Sequence, residues 1–148
     1  MITYKSCSAT SDTYGETNDC TVRALAIACN QPYIKAHAIM SQRGRINRHG
    51  AYKPQYISAL SDLGFRAVHV PRTTAKTISS LHKQLDPSKR YIVEVSGHLL
   101  AYVNGTIEDW TGDPERKPSR KRIENIMVIE PLMSKNAIRK ASRYKLTH

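Results

Sequence analysis

The pair Asn104-Gly105, set between the runs His98-Leu-Leu-Ala-Tyr-Val103 and Thr106-Ile-Glu-Asp-Trp110, constrains this chain more than any other local feature. Asn-Gly between apolar strands selects a two-residue turn whose backbone twist matches that of the strands it joins. Closing the hairpin there pairs Val103 with Thr106, Tyr102 with Ile107, Ala101 with Glu108 and Leu100 with Asp109. Tyr91-Ile-Val-Glu-Val95 and Ile126-Met-Val-Ile129 are further β-rich runs, so the second half of the chain predicts an antiparallel sheet.

The first half carries a different period. Val22, Leu25, Ala26 and Cys29 recur at helical spacing after Asn18-Asp19, a capping signal, and Asn30-Gln31-Pro32 closes that helix. Pro32 suits the first turn of a second helix reaching about Arg43, where Gly44 stops it. Pro54 to Leu63 predicts a third helix with Ile57, Leu60 and Leu63 inward and Gly64 as terminator. A short strand follows at Phe65 to Val70, then a weaker helix from Thr74 to Leu85 facing the core with Ile78, Leu81 and Leu85. Residues 1–17 are polar, without period, and read as an extended segment or loop. Helices first and sheet second define an α+β fold. The 148 residues make one domain with its core over about 14–130, followed by a basic helix at about 134–146.

No apolar run approaches the ~20 residues that cross a bilayer, and the start is not that of a signal peptide. A cytoplasmic chain without a membrane partner is expected. The three cysteines, Cys7, Cys20 and Cys29, are an odd number without Cys-x-x-Cys spacing, which argues against a disulfide framework and against zinc. Neither a metal nor another cofactor is implied.

Cys20 stands apart because it opens a helix, where unpaired backbone N–H groups and the positive end of the macrodipole favour a thiolate. A cysteine nucleophile also needs a base and a group to orient that base. The predicted hairpin supplies both: His98 shares a face with Leu100, and Asp109 pairs with Leu100, so His98 and Asp109 become diagonal neighbours. The bland reading stays beside this one: a helix-start thiol, a strand histidine bonded to a carbonyl and a surface acid.

The run Asn18-Asp19-Cys20-Thr21-Val22-Arg23-Ala24-Leu25, then Gly97-His98 opening a strand, then Asp109-Trp110 after the hairpin, resembles the papain-like cysteine peptidases. The likeness is to the compact bacterial and phage type, including the enzymes that cleave double-glycine leaders, and it spans about residues 14–112. The family's chain order of Cys, His and then Asn or Asp holds here. The resemblance implies a papain-like fold, with Cys20 as nucleophile, His98 as general base and Asp109 as the residue orienting it. It also implies that Trp110 shields the pair from water. Where the family places a Gln six residues before the nucleophile, this chain has Tyr14. Asn18 is the candidate replacement donor to the oxyanion, together with the backbone N–H of Cys20. The implied activity is cleavage of a peptide or isopeptide bond in a polypeptide substrate or host protein, in the setting of a phage or mobile element. An amidase or a transglutaminase uses the same three residues.

Charge adds a second theme. Lys and Arg number 23 against 12 Asp and Glu, giving a net charge of +11. Arg116, Lys117, Arg120, Lys121 and Arg122 crowd into seven residues, and Lys135, Arg139 and Arg143 form a stripe on the terminal helix. Such a surface suits nucleic acid or an acidic protein. The alternative function is therefore an inert papain-like binding protein that works through this basic region.

Overall fold

The computed structural model describes residues 3–6, 13–71, 73, 76–110 and 122–132, with backbone alone at 3–6, 109 and 110. The chain is α+β. Strand β1 (Thr3–Ser6) precedes three helices, α1 (Cys20–Ala28), α2 (Tyr33–Gln42) and α3 (Lys53–Asp62). Then come β2 (Phe65–His69), a 3-10 helix (Ile78–Lys83) and the strands β3 (Arg90–Val95), β4 (His98–Val103), β5 (Thr106–Trp110) and β6 (Ile123–Pro131). The sheet order is β1-β5-β4-β3-β6-β2. All its pairings are antiparallel except β1 with β5, which is parallel.

The Asn104-Gly105 turn forms as its chemistry requires, with φ of 54° and 74°, values that Asn and Gly tolerate far better than other residues. Three of the expected pairs follow: Val103 with Thr106, Tyr102 with Ile107 and Ala101 with Glu108. The β4–β5 ladder ends there, short of Leu100 and Asp109, and β5 continues against β1 with Trp110 beside Ser6. The N-terminal segment thus supplies an edge strand, and β2 closes the other edge.

Each face of the sheet carries its own apolar cluster. On one face, Leu99, Ala101 and Val103 of β4 and Ile92 of β3 pack with Val22, Leu25, Met40 and Leu60 from the helices. On the other, Leu100 and Tyr102 join Tyr91, Val93, Ile107 and Ile126 beneath Ile78 and Leu81 of the 3-10 helix and Leu85 just after it. The segment expected to form a fourth α-helix is therefore a tighter 3-10 helix over Ile78–Lys83, with the three anticipated residues inward. Helix α1 is buried nearly all round, Ala24, Ala28, Thr21 and Arg23 included, because it lies between the sheet and α2. A helix so enclosed has no polar face to give to solvent.

Helix α3 corrects one expectation. Its core side is Tyr56, Ala59 and Leu60, while Ile57 is 37% exposed and Leu63 half-buried. Leu60 is buried as expected and Leu63 packs against the helix-side cluster, so Ile57 alone departs, with Tyr56 buried beside it. No helix among the described residues is long and apolar enough to cross a membrane. The expected terminal helix at about 134–146 lies outside the described residues.

Candidate active site at the start of the first helix

Cys20 is the first residue of α1. It is half-buried against the helix-side cluster, with its Sγ 4.0 Å from Thr21 Oγ1. The anticipated side-chain cap is not made: Asp19 sits at the N-cap without a capping hydrogen bond. Its carboxylate instead accepts from the Tyr33 hydroxyl at 2.7 Å and lies 3.5 Å from Arg23 Nε. A tertiary bond thus takes the group that local chemistry assigned to the cap, and it joins the start of α1 to the start of α2. The Asp19 side chain thus leaves the first turn of the helix that carries the thiol uncapped, where backbone donors favour anions.

The chain leading to Cys20 is fixed by a buried carboxylate. Glu16, 5% exposed, accepts from Arg45 Nη1 at 2.9 Å, from Arg45 Nη2 at 3.3 Å and from the Arg48 backbone N–H at 2.7 Å. His37 Nε2 lies 2.5 Å from its second oxygen. Burial pushes this carboxyl up, but the Arg45 guanidinium, the Arg48 N–H and His37 together outweigh it and hold the group down at about 2. Arg45 also donates to the carbonyls of His49 and Thr17, so the 13–19 segment and the 43–49 loop are one unit. Within that unit Asn18 adopts a φ of 52° and its amide nitrogen donates to Arg48 O at 3.1 Å. Since a carboxamide has two N–H groups, one hydrogen remains for another acceptor. Tyr14, at the position where a Gln was expected, stacks on Tyr33 with ring centroids 4.9 Å apart.

The direction of α1 decides what lies near Cys20. Arg90 Nη1 donates to Ile27 O at 2.8 Å, and Arg90 pairs with Val103, the last residue of β4. The C-terminus of α1 therefore overlies the end of β4. With a length of ~13 Å for its nine residues, the helix runs back along the strand so that Cys20 lies over the end of the sheet where β4 begins. His98 is that first residue of β4. It is half-buried and follows the Ser96-Gly97 turn, with Gly97 at φ 66°. His98 pairs with Val95, and Val95 and Leu100 belong to the cluster away from the helices. Cys20 and His98 share an end of the sheet but not a face.

Asp109 lies in β5 one residue beyond Glu108, and Trp110 pairs with Ser6 through the backbone. Of the basic surface, Arg122 is exposed and bridges to Thr77 through the backbone. Arg116, Lys117, Arg120, Lys121, Arg139 and Arg143 lie outside the described residues. Among the described residues no group of three His, Cys, Asp or Glu is disposed to hold a metal.

Sequence reasoning missed Glu16, His37 and Arg45. Their separations of 21 and 29 residues leave no periodic trace. At the end of β2, His69 Nδ1 meets Asn125 Oδ1 at 2.8 Å. No protein-family model, no curated protein and no solved structure matches this chain.

Proposed function

We propose that this chain is a papain-like thiol hydrolase that cleaves a peptide or isopeptide bond, with Cys20 as nucleophile, His98 as base and Asp109 as its orienting residue. The observation that carries the reading is the course of α1 along β4, with the thiol at the helix N-terminus over the strand end that His98 opens. In the reaction, the Cys20 thiol gives its proton to His98 and Sγ attacks the substrate carbonyl. The resulting oxyanion is met by the Cys20 backbone N–H and the remaining Asn18 amide hydrogen. The C–N bond then breaks, the amine leaves with the proton from His98, and water hydrolyses the thioester.

A second reading, a papain-like binding protein acting through its basic region on nucleic acid or an acidic protein, is favoured by the separate faces of Cys20 and His98. Iodoacetamide labelling of Cys20 separates the two, with Cys7 and Cys29 replaced by serine. Under the hydrolase reading, labelling at mildly acidic pH is fast, and His98→Ala slows it by about tenfold or more. Equal labelling in wild type and His98→Ala sinks that reading. Charge reversal across 116–122 then tests the binding one.

A further inference from the structure

A cavity of about 430 Å³ runs along α1 from Arg23 to the turn after the helix. Its polar walls come from separate segments: Arg23, Asn30 and Gln31 from α1 and the turn after it, Arg90 from β3, Asn104 from the hairpin turn and Glu108 from β5. The volume lies in the range of small-molecule sites. Charge is arranged unusually within it. Arg23 is 8% exposed and held by Asp19, and Arg90 is anchored by its bond to Ile27 O. These two guanidinium groups are positioned by the fold. Glu108 pairs with Ala101 on the helix-side face of the sheet. It is half-buried, and its carboxylate makes no hydrogen bond or ion pair with the side chains that the structure describes.

The cavity therefore keeps a cationic wall and an anionic wall that do not close on each other. A partly desolvated carboxylate facing guanidinium groups without contacting them is satisfied by a molecule carrying both complementary charges. We infer that this cavity binds a small zwitterion of the α-amino acid class, its carboxylate on Arg90 and Arg23 and its ammonium on Glu108. The carboxamides of Asn30, Gln31 and Asn104 suit a polar side chain. The assignment does not rest on Cys20 acting as a nucleophile.

The test is amide NMR of the full chain titrated with a mixture of serine, threonine, asparagine and glutamine. The same titration is run with their N-acetyl derivatives, which lack the ammonium, and with their carboxamides, which lack the carboxylate. The free amino acids are expected to shift Asn104, Gly105 and Glu108 in a saturable way, and neither capped set to do so. Glu108→Gln and Arg90→Gln each weaken the effect by about tenfold or more while leaving the rest of the spectrum in place. An absence of shifts with the free amino acids overturns the assignment. So do equal shifts from either capped set, or binding unaltered in Glu108→Gln.

Discussion

Replacing Glu16 by Gln isolates the buried carboxylate that holds the segment before Cys20. In the folded chain this carboxyl lies at about 2 instead of its ordinary 4.5, a difference worth about 3 kcal/mol at ~1.4 kcal/mol per pH unit. Because the folded value is depressed, the stabilisation is fully present above the unfolded value of 4.5 and is lost as pH falls through the folded value of about 2. Urea unfolding followed by far-ultraviolet circular dichroism, from neutral pH down to the acid limit, measures it. Glu16→Gln is expected to be about 3 kcal/mol less stable than wild type at neutral pH, with the gap shrinking towards zero at the acid end. The comparison cancels other acids: Asp62 and Asp86, both held below the ordinary range by hydrogen bonds from Arg43 and Ser88, titrate alike in both proteins. A gap under about 1 kcal/mol, or one that stays constant with pH, refutes the assignment of this stabilisation to the ionised carboxylate.

Tyr33→Phe removes the 2.7 Å bond to Asp19 and is expected to cost about 1.5–3 kcal/mol, the range for bonds to a charged group, read as a lower urea midpoint. Leu25→Ala, at a fully buried site, should cost about 2–5 kcal/mol. Ile57→Ala, on the outer side of α3, should cost under about 1 kcal/mol; a reversal of that order would put the wrong face of α3 inward. Cys29 is 1% exposed, and burial pushes its thiol up to about 12 against the opposing pull of Arg90. It should therefore resist a disulfide reagent in the native chain and react only after denaturation, as thiol counting will show.

The hairpin was legible because its determinants are local. Asn104 and Gly105 name their own backbone conformation, and the three pairs beside them follow from it. The inward residues of this segment were legible for a similar reason, since Ile78 and Leu81 stand three apart, a spacing that both helix types place on one side, and Leu85 follows just beyond the helix. The helix type was not legible: the spacing through Leu85 is an α-helical one, yet the helix that forms is a 3-10 helix ending at Lys83. In α3 Leu60 is inward as expected, but Tyr56 is buried and the adjacent Ile57 is not. Asp19 carries the chemistry of a cap, but the Tyr33 hydroxyl, contributed from 14 residues away, took its carboxylate. The Glu16 cluster and the parallel pairing of β1 with β5 depend wholly on distant partners, and a polar segment without period announces neither.

This anchoring bears on the proposed chemistry through the question of which partner is free to adjust. Helix α1 is tied at its start by Asp19 to Tyr33 and by Asn18 to the Arg48 carbonyl, and at its end by Arg90 to Ile27 O. It is also enclosed on nearly every side, so moving Cys20 means moving the core, and close-packed interiors resist that. His98 stands differently: it is the first residue of an interior strand, half-buried, after a two-residue turn at the end of the sheet. Terminal strand residues beside turns open locally at far lower cost than core helices. If thiol and imidazole act together, the imidazole must come to the thiol round the end of the sheet, through the Ser96-Gly97 turn.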